Sequence, residues 1–227
     1  MTRHFHLRSA RQEVNIAHAR HKSMLDSIRQ HSLENNRDKD KFLYLMAIPI
    51  IYAAWEGYFR ISCSICLKRE CLVGKKVKNY KSNYAALWLQ KEKFFDSFLQ
   101  RLFNSMQLGK PAKKISSGKF QAVSEFAANI SNWLDRPVDH LYDFDDLVMT
   151  YSNVNKEVAL LNSGIIGLQT DGVDFSRIDE LLSRRNDIAH GGLLNFPHET
   201  NVVDLLAYTG RLIDTFHDSV IDWLSQN

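Results

Sequence analysis

The 227-residue chain has few of the residues that interrupt helices: four prolines and ten glycines. A many-stranded β fold needs a turn signal roughly every 8–12 residues, and this supply is too small for one. Cysteine is also scarce. Cys63, Cys66 and Cys71 are the only three, all in one stretch. An odd number without a secretion signal excludes a disulfide scaffold and points to a reducing compartment, the cytoplasm. Cys63 and Cys66 have a zinc-like spacing, but no second Cys/His pair stands at ligand spacing. They read as plain thiols, and neither a metal nor a cofactor is expected. The opening Met1–Arg8 lacks the apolar core of a signal peptide. The longest apolar run, Phe42 to Trp55, contains Pro49 and falls short of the roughly 18 residues of a membrane span. It reads as a buried helix, kinked or started near Pro49, and no membrane is expected. Walker A, GxGxxG, HExxH and GxSxG motifs are all missing, and with them the chemistries they serve.

What is present is ordinary in amount. Apolar residues make up 44%, aromatic residues 11% and charged residues 24%. So many aromatics exclude a disordered chain. The net charge of +3 names no partner. Helical periodicity runs over 8–33, 41–72, 83–107, 119–134, 144–162, 177–190 and 199–225. No repeat and no low-complexity linker divides the chain. The prediction is an all-α fold: one domain over 1–227, a bundle of six or seven helices.

Charge is separated along the chain. Lys75, Lys76 and Lys78 lie in one basic connector, Lys113 and Lys114 in another. Such groups can track an RNA backbone, though charged loops are more often only solvated. Asp135, Asp139, Asp143, Asp145 and Asp146 form an acidic stretch that would repel RNA or attract a basic partner.

Chemistry concentrates in residues 174–192. Ser176 and Asp179 have the spacing of a capping box at a helix start, with Asp in place of the usual Glu. Ile178, Leu181, Leu182, Ile188 and Ala189 mark the buried stripe. At about 100° per residue Arg185 falls inside that stripe, with Asn186 and His190 together on its flank as an i, i+4 pair. Gly191-Gly192 stops the helix behind the histidine and leaves its ring uncrowded. Two readings stay open. In the structural one, Arg185 snorkels to the bundle end or pairs with a buried carboxylate such as Glu56, and His190 only caps the helix. In the functional one, the three residues form a site.

Arg185-Asn186-x3-His190 resembles the Arg-x4–6-His motif of the HEPN superfamily. Residues Ser183 to Gly191, with Ala54-Trp55-Glu56-Gly57-Tyr58-Phe59, resemble a branch of bacterial defence and toxin proteins spanning two related groups, one of them RiboL-PSP. The resemblance implies an HEPN-like helical fold and a metal-independent endoribonuclease that works as a homodimer. It also implies a toxin or anti-phage role, with an antitoxin or defence-system partner protein. A second implied function is a non-catalytic module that binds RNA or nucleotides or serves as a partner scaffold. Gly192 stands where some HEPN toxins carry a tyrosine modified by a partner nucleotidyltransferase.

The residues suit the chemistry. The RNA 2′-hydroxyl attacks the adjacent phosphate and leaves a 2′,3′-cyclic phosphate. His190 would be the acid or base. Arg185 would neutralise the charge that develops on phosphorus. Asn186 would orient the imidazole or hold a phosphate oxygen. Arg184 is the substitute for Arg185, and Glu56 and Arg60, one turn apart, are supporting partners. One difficulty remains: Arg185 and His190 lie about 140° apart on an ideal helix. They converge if the helix end deviates, if the arginine curls, or if a partner subunit supplies one of them.

Overall fold

The computed structural model describes residues 7–71, 75–106, 117–138, 145–150, 153–191 and 196–226. The described residues contain eight α-helices and no strand. These are α1 (Leu7–Ile28), α2 (Lys41–Cys71), α3 (Ser82–Leu89), α4 (Lys93–Met106), α5 (Ser117–Leu134), α6 (Lys156–Ile166), α7 (Ile178–Ala189) and α8 (Glu199–Gln226). A π-helical turn, Arg29–Glu34, extends α1. Two expectations need correction. The helix expected over 83–107 is two helices, because turns at Lys91 and Glu92, bonded back to Trp88 and Leu89, end α3 before Lys93 starts α4. The helix expected over 144–162 is a 3-10 turn at Asp145–Leu147 followed by the later start of α6. Asn155 sets that start, its side chain accepting from the Val158 N–H at 2.8 Å.

Backbone contacts gather in two compact units, residues 1–70 with 144–227, and residues 71–143. In the first unit α2 is the core helix. It is long and apolar enough to cross a membrane, but 56% of its most apolar window is buried in the protein. Each residue of Trp55-Glu56-Gly57-Tyr58 points to a different neighbour. The Trp55 ring is fully buried against Phe59, Phe175 and Phe216, with centroids at 5.3, 6.2 and 5.6 Å. Glu56 serves the site described below. Gly57 lets α1 approach: a Cβ there would stand 2.8 Å from Nε2 of the buried His21. That ring cannot easily retreat, because His21 Nδ1–H donates to the Ala17 carbonyl at 2.7 Å. Gly57→Ala is therefore expected to cost about 1–3 kcal/mol despite alanine's better helix propensity. Gly164→Ala in α6 meets no atom within 4 Å and is expected to stabilise by up to about 1 kcal/mol. Urea midpoints of the two variants check the contrast; a stabilising Gly57→Ala would refute the close-packing argument.

Tyr58 leads to a polar seam between α1 and α8. Its hydroxyl bonds Nδ1 of His217 at 2.8 Å. The His217 ring stacks on His18, with centroids 4.2 Å apart. His18 Nε2–H donates to Asp214 at 2.8 Å, and Lys22 reaches the same carboxylate at 2.7 Å. Burial and the neighbouring His18 push the His217 imidazole below its ordinary 6.5, while Asp218 and Asp214 pull it upward. The unfolded chain thus binds the His217 proton more readily than the folded one. The contribution of His217 is fully present above pH 6.5 and is lost as the pH falls below it. The wild-type melting temperature is expected to drop by a few degrees more than that of His217→Gln between pH 7.5 and 5. Parallel curves in a thermal melt would refute this.

In the second unit α4 and α5 form an antiparallel hairpin. Phe98 stacks on Phe126 at 4.4 Å, and Arg101 bonds Glu125. Trp133 at the end of α5 is buried, and its Nε1–H donates to Glu92 at 3.1 Å. In the connector before α3, the Lys76 and Pro137 backbones pair antiparallel.

Candidate functional site

The site is built on α7 and α2. The capping box expected at Ser176 and Asp179 does not form. Ser176 N–H donates to Asp174 at 2.9 Å, and Asp179 accepts from the Lys156 backbone N–H at 3.0 Å. Asp179 thus closes the first turn of α6 rather than its own helix, and α7 begins at Ile178. Ile178 and Leu181 bury its apolar face.

Arg185 is half-buried, as its place in the stripe predicts, and it faces α2. Its guanidinium carbon sits 5.0 Å from the centroid of the Tyr52 ring, a cation–π arrangement. Arg185 Nη1 donates to Oδ1 of Asn186 at 2.7 Å. Tyr52 is in turn fixed, its hydroxyl accepting from the Val154 N–H at 2.7 Å. Burial pushes the Tyr52 phenol up to about 12, against the Val154 hydrogen bond and Arg185. It is therefore neutral at physiological pH, and the face of its ring is what the guanidinium meets. Glu56 lies one turn beyond Tyr52. Burial raises its carboxyl, and Arg185 and the exposed Arg60 pull it back down. Tyr52 was not among the residues expected in the site. The signal was available: Tyr52 and Glu56 are an i, i+4 pair and share one face of α2.

His190 stands apart from this cluster. It is the C-cap of α7, exposed, with its backbone N–H bonded to the Asn186 carbonyl at 2.9 Å. Gly191 follows at φ +71°, the left-handed conformation that glycine adopts at helix ends. No hydrogen bond joins the imidazole to Arg185 or Asn186 among the described residues. The structure thus unites Arg185, Asn186, Glu56 and Tyr52 and leaves His190 at the rim.

The remaining candidates fall elsewhere. Arg184 lies on the outer side of α7, in a ladder where Glu180 accepts from Arg177 at 2.8 Å and from Arg184 at 3.0 Å. Arg184 is thus held away from Tyr52. Lys76 and Lys78 meet Asp135 at 3.2 and 2.7 Å and hold its carboxyl below the usual carboxylate range. That pairing neutralises part of both the basic connector and the acidic stretch. Lys75 is exposed, with Nζ 5.8 Å from the Tyr80 centroid. Lys113, Lys114, Asp139 and Asp143 lie outside the described residues. Cys63, Cys66 and Cys71 are buried thiols, and burial raises Cys63 and Cys66 well above their ordinary value.

An all-helical fold with an Arg-Asn-x3-His segment closing a late helix, followed by one long helix, defines a protein of the HEPN superfamily. Residues 18–222 match the RiboL-PSP-HEPN family, and the chain belongs to it. The match runs from α1 to α8 and includes Trp55-Glu56-Gly57 and Arg185 to His190. No curated protein and no solved structure matches the chain.

Proposed function

We propose that the protein is a metal-independent endoribonuclease that cuts RNA through the 2′-hydroxyl. The observation that carries this reading is Arg185, an always-protonated fork fixed on the Tyr52 ring, followed at the end of the same helix by the exposed imidazole of His190. His190 takes the proton of the 2′-hydroxyl, O2′ bonds to phosphorus, and the bond from phosphorus to O5′ breaks. The leaving oxygen takes up a proton, so the products are a 2′,3′-cyclic phosphate and a 5′-hydroxyl. Arg185 meets the charge that builds on the phosphorane oxygens. Asn186, already bonded to Arg185, presents its amide beside the phosphate.

Arg185 and His190 lie on different sides of α7, so the site is read as a composite of two copies. The exposed stripe Phe42, Met46 and Ile50 on α2 supports that reading. It flanks the Tyr52–Glu56 face and offers apolar area for a second copy. A single domain over 1–227 is part of this proposal, supported by the unbroken family match over 18–222. A toxin or anti-phage effector in the cytoplasm, restrained by an antitoxin or defence-system partner, follows from the branch and not from any one residue.

The test is cleavage of tRNA and mRNA by the purified protein in EDTA. Products should carry 5′-hydroxyl and cyclic-phosphate ends, and a strand with deoxyribose throughout should resist. Absence of cleavage by the wild type would overturn the reading. The second reading, a module that binds RNA without cutting it, draws on the His190 ring having no orienting partner among the described residues. Tight RNA binding with no product, lost in Arg185→Ala, would select it.

A further inference from the structure

Charge and aromatic rings are divided unevenly between the two compact units. Residues 71–143 hold twelve Lys/Arg against six Asp/Glu, while the rest of the chain holds seventeen against twenty. The smaller unit is thus at +6 and the larger at −3. The smaller unit also carries eleven of the 25 aromatic residues in about a third of the length. A basic, aromatic-rich body is what single-stranded nucleic acid needs, since cations track the backbone and π-faces stack the bases without regard to sequence.

The hairpin shows where stacking would occur. Phe103 is 60% exposed, level with Ile16, and Phe120 65%, the highest values among the large apolar residues described. Both phenylalanines lie at the end of the hairpin where α4 finishes and α5 begins. The seam between the helices is made by Phe94, Phe98 and Phe126. At 100° per residue, Phe103 on α4 and Phe120 and Val123 on α5 are all turned off that seam. Phe103 and Phe120 each stand on the outer face of their own helix, roughly opposite the seam. Lys119, also exposed, precedes Phe120. Two exposed phenylalanine rings offer π-faces at this end of the hairpin.

We propose that helices α4 and α5 hold single-stranded RNA, with bases stacked on Phe103 and Phe120. The proposal rests on RNA being the substrate and gives the protein a second RNA contact, on a different unit from Arg185. The test uses the full chain carrying His190→Ala and a fluorescein-labelled 20-nucleotide oligouridine, read by anisotropy. Stacking on an aromatic side chain contributes about 1–3 kcal/mol per base. Adding Phe103→Ala and Phe120→Ala is therefore expected to weaken binding at least tenfold with an unchanged melting temperature. Phe103→Leu with Phe120→Leu, apolar but without a π-face, is expected to weaken it as well. Unchanged affinity in the alanine pair, or full affinity in the leucine pair, would overturn the proposal. If the wild type binds oligouridine through these rings yet cuts no RNA, the stacking surface stands and the endoribonuclease reading falls. If the wild type cuts RNA and the alanine pair binds like its parent, the surface alone falls.

Discussion

His190→Ala is expected to lower RNA cleavage at least a hundredfold while leaving the urea midpoint within error of the wild type. The two halves of that expectation have separate causes. His190 is exposed and closes α7 through its backbone N–H, which alanine retains. Surface substitutions of this kind stay within about 0.5 kcal/mol. A positioned acid or base, in contrast, contributes roughly 10²- to 10⁴-fold to proton transfer. Arg185→Ala makes a poorer test, because its guanidinium is half-buried over Tyr52 and opposes the burial of Glu56. Removing it weakens the fold and the chemistry together. Arg185→Lys is more informative: it keeps the charge beside Glu56 but loses the planar fork, so cleavage is expected to fall with little loss of stability. The measurement is initial cleavage rate against urea midpoint for all three variants. Equal rates for wild type and His190→Ala would end the proposed mechanism, and a parallel loss of rate and midpoint would return His190 to a capping role.

The pattern of agreement between sequence and structure follows the range of the interactions. Residues 41–72 read as one helix, kinked or started near Pro49; α2 starts at Lys41 and carries Pro49 inside it, since an apolar run with Asp40 bonding the Phe42 N–H is local information. Arg185 was legible for the same reason, as a charge inside an apolar stripe. Its partner Tyr52 was not, because only the packing of α7 on α2 brings the two together. Asp179 shows the converse error. The local motif is sound, but a backbone N–H at the start of another helix competes for the carboxylate and wins. The seam of His18, His217 and Asp214 escaped entirely, as the first and last helices must meet before those residues become neighbours. The structure gives His18 to Asp214 and sets His21 against Gly57.

Trp55→Ala should cost about 3–5 kcal/mol, the largest loss expected from any single truncation in the first unit. The indole is fully buried and meets rings from three different segments: Phe59 on α2 itself, Phe175 in the loop before α7, and Phe216 on α8. Those rings are large and rigid, and Phe59 and Phe216 also brace each other at 5.2 Å. They cannot collapse into the space an indole vacates, so the cavity persists and its full cost is felt. The same residue separates packing from polar contacts. The Trp55 Nε1–H finds no acceptor among the described residues. Trp55→Phe therefore gives up volume but no hydrogen bond, and is expected to cost less than half of what Trp55→Ala does. Chemical denaturation of the two variants decides the matter. If phenylalanine proves as damaging as alanine, the indole nitrogen holds the fold through a partner, and ring packing alone does not explain the Trp-Glu-Gly turn. If both are mild, the core is not centred on α2. In that case Glu56, one residue further on, would lose the rigid support that keeps it facing Arg185.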